Sequence, residues 1–254
     1  MAFIEMNFFS GLLGMSVPVS VILPEKIRNI SENNIKTLYL LHGLTDDHTA
    51  WVRQTSIERY ANEYGIAVVM PEGHRSWYTD TADGARYLSY IAEELPRACR
   101  SFFRGLSDKR EDNLIAGLSM GGYGAMKIAI RYPDTFGGCA ALSGALDIAD
   151  LARKFNLCEW RGIFAFDLQR ASQLKGSRHD LFKLVRCHSE NDGLFPDIYL
   201  WCGEHDRLID CNGRMHELLD ELGVEHLYEH SEGNHSWKWW DLHIQDAIKY
   251  LLEK

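Results

Sequence analysis

Short apolar runs alternate with longer amphipathic stretches along most of this chain. TLYLLHG (37–43), IAVVMPEG (66–73), NLIAGLS (113–119), FGGCAALSG (136–144) and DIYLWCGE (197–204) are nearly unbroken apolar runs, each ending in a glycine-containing turn. That pattern predicts strands buried on both faces. Between them, helical spacing of apolar positions predicts helices near 53–64, 86–103, 120–131, 210–222 and 237–252, with Pro96 kinking the second or marking its true start. The first 23 residues alternate and turn at Ser10-Gly11 and Gly14, as an antiparallel hairpin does. Strand and helix in repeated alternation predict an α/β fold, a mainly parallel sheet with helices on both faces.

Residues 146–193 break the rhythm with short helical pieces and no convincing strand. The stretch is too long for a connecting loop and is read as an insertion over the carboxyl edge of the sheet. Ligands bind at that edge in open α/β sheets, so the insertion is a candidate lid or specificity cap.

Composition narrows the class. A chain of 254 residues with 46% hydrophobic and 25% charged residues has the proportions of an ordinary globular protein. At this length residues 1–254 are expected to form a single domain burying roughly three-quarters of the unfolded surface. The formal charge of −9 carries no basic run, so nucleic acid is not an expected partner. Six cysteines without a CxxC pair read as buried free thiols in a reducing compartment. The amino terminus lacks a basic segment, and no window approaches the ~18 apolar residues of a membrane span. The expectation is a cytoplasmic protein without a membrane partner; its oligomeric state is not legible.

The chemistry concentrates at GLSMGGYG (117–124). Gly117-x-Ser119-x-Gly121 follows an apolar run and opens a helical segment, the strand–turn–helix context of a nucleophile elbow. A serine there sits on a sharply turned backbone that projects its hydroxyl above the sheet, and small neighbours let strand and helix pack closely. Serine is a weak nucleophile and needs a base oriented by an acid, in the chain order Ser, Asp or Glu, His. Asp206 lies just past the run DIYLWCGE. Its competitors are Glu204, which follows the strand too closely, and Asp210, which is expected to cap the next helix. For the base, His226 and His230 have strand-like spacing, whereas His235 lies in a loop after Gly233-Asn234, where Gly233 lets the backbone turn. The oxyanion donors are expected to be the backbone N–H groups of Met120, directly after the nucleophile, and of Leu44 in His42-Gly43-Leu44.

LLHGLTDDHTAW, MPEGHRSWYTD, EELP, GLSMGGYGAMKIAIRYPDTFGGCAALSGALD, CGEHDRL and NHSWKWWD occur in order over nearly the whole chain. Together they resemble the esterase D/putative esterase family of α/β hydrolases, especially its bacterial tributyrin- and acetyl-esterase-like branch. The resemblance implies serine carboxylesterase activity on short acyl esters without a cofactor. It carries over Ser119 as nucleophile, Asp206 as acid, His235 as base, and Leu44 and Met120 as oxyanion donors. The related S-formylglutathione hydrolases are similar to one another in a GHSMGGHGA elbow and an SGLTC-like loop. This chain departs from both, with Leu118 and Tyr123 at the two histidine positions and His42 in place of the loop serine. The general esterase is therefore the first reading, with formylglutathione, feruloyl and carbohydrate acetyl esterases as alternatives. An acyltransferase using the same acyl-enzyme is the alternative from another class.

Trp77, Tyr78, Trp160, Phe164 and Phe166 are candidates to line the substrate pocket. At least one of Trp237, Trp239 and Trp240 is expected to pack under the His235 loop. His42, Asp46, Asp47 and His48 do not form a closed ligand set at recognised spacing, so no metal is expected there.

Overall fold

The structure, a computed structural model, describes residues 1–25, 34–154, 159–164 and 173–254. Eight strands form one sheet: β1 (Ala2–Ser10), β2 (Met15–Leu23), β3 (Thr37–Leu41), β4 (Ala67–Pro71), β5 (Asn113–Leu118), β6 (Gly138–Leu142), β7 (Asp197–Gly203) and β8 (His226–Ser231). Their order is β1-β2-β4-β3-β5-β6-β7-β8. The β1–β2 hairpin joins β4 antiparallel, and every pairing from β4 to β8 is parallel. This is the expected α/β fold, of the α/β-hydrolase kind.

Helices α1 (Ala50–Gln54), α2 (Ile57–Tyr64), α3 (Tyr87–Ser89), α4 (Leu95–Phe102), α5 (Met120–Arg131), α6 (Ile148–Lys154), α7 (Trp160–Phe164), α8 (Leu181–Glu190), α9 (Ile209–Glu221) and α10 (Trp237–Glu253) connect and flank the strands. Side chains alternate along each strand, so each buried strand feeds two cores. Ile115, Ile198 and Leu200 face one core with Leu95 of α4, Met126 of α5 and Met215 of α9. Leu114, Ala116, Tyr199 and Trp201 face the other with Tyr60 of α2 and Ile244 and Ile248 of α10.

Two helical expectations are modified. The segment near 53–64 is broken at Thr55-Ser56, where Thr55 Oγ1 donates to the Trp51 carbonyl and accepts the Ile57 N–H. The Ser56 N–H is taken by Asp241 of α10, so two backbone N–H groups, of Ser56 and Ile57, leave the helical ladder. The segment near 86–103 is continuous but carries a π turn at Tyr90–Glu94, immediately before Pro96 near the start of α4. The wider turn, in which the Leu95 N–H reaches the Tyr90 carbonyl, accommodates a proline ring that lacks an N–H and would crowd the preceding carbonyls.

The 146–193 region lies between β6 and β7 and contributes α6, α7 and α8 among its described residues. Cys99, Cys139, Cys202 and Cys211 are free and buried as expected, whereas Cys187 is exposed on α8; Cys158 lies outside the described residues. Among the described residues no helix is long and apolar enough to cross a membrane.

Candidate active site

The site grows from the junction of β5 and α5. Ser119 adopts φ 53° and ψ −114°, a left-handed position that costs a non-glycine residue on the order of 1–3 kcal/mol. Three backbone hydrogen bonds hold it. The Ser119 N–H donates to the Leu142 carbonyl (3.0 Å), and its own carbonyl accepts from Tyr123 (3.1 Å) and Ala145 (3.0 Å). The glycines of the motif permit the close approach. A Cβ on Gly117 would lie 2.5 Å from the Gly121 backbone, and one on Gly121 would lie 2.5 Å from the Leu41 carbonyl oxygen.

Asp206 follows β7 and His235 follows β8, which are paired in parallel, so both emerge at the carboxyl edge above Ser119. His235 Nδ1 is 2.8 Å from Asp206 Oδ2, and His235 Nε2 is 3.1 Å from Ser119 Oγ. An ionised carboxylate only accepts, so Nδ1 carries the proton and Nε2 faces the serine hydroxyl with its lone pair. Burial pushes the Asp206 carboxyl up. The hydrogen bond and charge of His235, the Leu208 N–H and the Ser143 hydroxyl outweigh that and hold it below the usual carboxylate range. The two loops touch through glycines: a Cβ on Gly203 would collide with the Gly233 backbone, while the Glu204 and His205 N–H groups donate to Ser231 and Gly233. Gly233 does not adopt a positive φ, so it is there for close approach rather than for the turn expected of it. Trp240 stands edge-on to the His235 ring at 4.9 Å and donates to Ser143 Oγ, beneath the base loop.

The competing residues lie elsewhere. Glu204 pairs with His230 at 3.3 Å, His226 bonds to His216, and Asp210 sits in the first turn of α9 rather than capping it. Asp206 lies two residues before Leu208, the N-cap of α9, and its Oδ1 accepts the Leu208 N–H.

Met120 is the first residue of α5, where an N–H has no intrahelical acceptor. Leu44, on the loop after β3, lines the same space as Ser119. That loop is held by a residue the sequence reading passed over, Glu72 at the end of β4. The Glu72 carboxylate is buried, accepts the backbone N–H groups of His48 (3.3 Å) and His74 (2.6 Å), and lies 3.2 Å from His42 Nε2. Burial raises its pKa, but the His42 contact and the other hydrogen bonds bring it down to about 2. His42 is thus a packed histidine, its Nδ1 bonded to the Gly43 carbonyl, and Asp47 caps Thr49. A terminal Pro-Glu-Gly reads as a plain turn, because the partners of Glu72 come from two separate loops.

Two spaces flank Ser119. A cavity of about 250 Å³ is lined by Leu44, Trp77, Ser119, Ala145, Leu151, Trp160, Arg207 and Leu208. A cleft of about 370 Å³ shares Leu44, Ser119 and Arg207 with that cavity and adds Asp46, His235, Ser236 and Trp237. Trp77 and Trp160 line the first of these spaces. Tyr78 does not: it is fully buried, filling the gap left by Gly73 and Gly124, and its hydroxyl donates to the His42 carbonyl. Phe164 is one layer back, packed on Trp160 and Trp77. Phe166 lies outside the described residues.

The model of the putative esterase family matches residues 10–251. The chain belongs to that family. The esterase is 33% identical to an acetyl esterase of Caldicellulosiruptor saccharolyticus, over 99% of this chain and 98% of the relative. Its structure is similar to the fluorophosphonate-binding serine hydrolase F of Staphylococcus aureus, with a TM-score of 0.92 and 35% identity, covering 100% of this chain and 99% of the other. It is also similar to an S-formylglutathione hydrolase of Staphylococcus aureus, with a TM-score of 0.88 and 36% identity over 99% and 98% of the two chains. The esterase is a serine hydrolase acting on carboxylic esters.

Proposed function

We propose that this esterase hydrolyses short-chain acyl esters, with Ser119 as nucleophile, His235 as general base and acid, and Asp206 as the group that orients His235. The observation that carries this reading is the continuous pair of hydrogen bonds from Asp206 through His235 to Ser119. Ser119 Oγ attacks the ester carbonyl as His235 Nε2 takes its proton, and Asp206 stabilises the imidazolium. The Leu44 and Met120 N–H groups donate to the oxyanion. His235 returns the proton to the leaving alcohol, then activates the water that hydrolyses the acyl-enzyme.

The two spaces divide the substrate. The leaving oxygen must meet His235, which assigns the alcohol to the cleft that His235 lines. The acyl chain then enters the cavity walled by Leu44, Trp77, Leu151 and Trp160. At about 250 Å³ that cavity is smaller than the ~300–1,000 Å³ of sites for drug-sized ligands, which favours acyl groups of a few carbons.

The test is hydrolysis of p-nitrophenyl esters from acetate to octanoate, wild type beside Ser119→Ala. Turnover is expected to peak at two to four carbons and to fall by at least about 1,000-fold in the variant. Equal rates in both proteins would overturn the assignment. The likeness to a formylglutathione hydrolase brings S-formylglutathione into the same panel, and an added acceptor alcohol separates hydrolysis from acyl transfer.

A further inference from the structure

We propose that His216, Asp220 and His226 form a binding site for a divalent transition-metal cation such as Zn²⁺, separate from the catalytic centre. The residues come from two elements. His216 and Asp220 are one turn apart on α9, and His226 opens the edge strand β8. Their donor atoms all lie within 4.8 Å of one another.

His226 is the anchor. Its side chain is 4% exposed, and its Nδ1 lies 2.8 Å from the Val224 carbonyl. A carbonyl only accepts, so Nδ1 bears the proton and Nε2 presents a lone pair towards α9. A metal-bound histidine usually has this arrangement, its far nitrogen fixed by a carbonyl or carboxylate. His226 Nε2 is 2.8 Å from His216 Nδ1 and 3.9 Å from Asp220 Oδ1. Tetrahedral zinc with bonds of ~2.0–2.1 Å sets its donors roughly 3.3 Å apart. The two spacings bracket that value, and a rotation of the half-exposed His216 ring equalises them.

Binding changes the His216 tautomer. In the metal-free protein the His216 Nδ1–H donates to His226 Nε2. Moving that proton to Nε2 frees Nδ1 to coordinate beside His226 Nε2 and an Asp220 carboxylate oxygen. The site fills without net loss of a proton from two neutral imidazoles. A set of two imidazoles and one carboxylate suits zinc, nickel or copper better than magnesium or calcium, which prefer oxygen.

The surroundings favour a cation. His216 lines an open groove of about 660 Å³ together with Glu204, Asp210 and Glu217. The basic residue of that groove, Arg214, is engaged by Asp147 at 2.7 Å. Asp220 is 62% exposed, so solvent can reach the remaining coordination position. Bound metal would join α9, which starts just after Asp206, to β8, which leads to the His235 loop.

The experiment uses the untagged enzyme, stripped with a chelator and titrated with Zn²⁺ against a chromophoric competitor. Co²⁺ absorption reads the coordination geometry in parallel. One equivalent of zinc is expected, with a tetrahedral Co²⁺ spectrum and a raised melting temperature. His216→Ala and Asp220→Asn should weaken binding by at least about tenfold, the lower end of the effect of losing even a supporting group around a metal. The neighbouring His230→Ala should bind as wild type, and all three metal-free variants should retain esterase turnover. Absence of stoichiometric zinc, equal affinity in His216→Ala, or loss of binding in His235→Ala but not His216→Ala would overturn the proposal.

Discussion

Glu72 has no place in the proposed chemistry, yet it ties down the loop that supplies Leu44. Its carboxylate gathers the His48 and His74 amides and the His42 ring at one buried point. In Glu72→Gln the amide nitrogen would face donors, leaving buried N–H groups unpaired. Turnover is expected to fall by about tenfold or more with little change in KM, since misplacing a catalytic donor by about 1 Å can cost ~100-fold. The pH dependence has a definite sign. Burial raises the Glu72 pKa, but the contacts that outweigh it leave the folded value at about 2, below the usual carboxylate value of ~4.3. Its stabilisation is therefore present above pH ~4.3 and lost as pH falls towards about 2. Melting temperatures of wild type and Glu72→Gln across that interval should converge at the acid end. The proposed triad of Ser119, Asp206 and His235 can be named from the sequence because chain order and flanking strands constrain each of them. Glu72 was not, because its importance exists only where separate loops meet.

Between elements, the site depends on places where two backbones touch. Gly117 against Gly121 sets the elbow, and Gly203 against Gly233 sets the spacing of the acid and base loops. The first contact was legible from the motif, whereas the second joins residues 30 positions apart that look like independent turns. Gly203→Ala should push the loops apart and lengthen the reach from His235 to Ser119. The expected outcome is a kcat loss of about 100-fold in a protein that still melts cooperatively, checked by kinetics and calorimetry. The helix α7 offers a second test, since Trp160 walls the cavity beside Ser119. Trp160→Ala enlarges that space and should move the optimum of the ester series towards longer chains. Aromatic composition had suggested pocket lining for Tyr78 and Phe164 as well, but composition does not distinguish a wall from the layer that supports it.

At the scale of the whole molecule, the repeated alternation of strand and helix predicted the parallel sheet, and the N-terminal turn residues predicted the hairpin. What the pattern did not contain was the sheet order, in which β4 lies between β2 and β3 and the later strands add outwards. An order with β3 beside β2 would bury the same apolar runs, so hydrophobicity alone does not choose the order. The role of the 146–193 region was also only partly legible, because α6 and α7 are short and turn Leu151 and Trp160 to the cavity, while α8 packs on α5 and α9.

The outward order from β5 to β8 bears on how the enzyme comes into being on the ribosome. From β6 onwards each strand pairs with the one made just before it, so this half of the sheet can extend in step with synthesis. Ser119 is exposed to the cell first, and His235, its hydrogen-bond partner, follows 116 residues later. At ~5–20 residues per second the interval is roughly 6–23 s. Under the proposed mechanism the nascent chain holds throughout it a nucleophile without its base, and hydrolytic activity is withheld until β8 and α10 have been laid down.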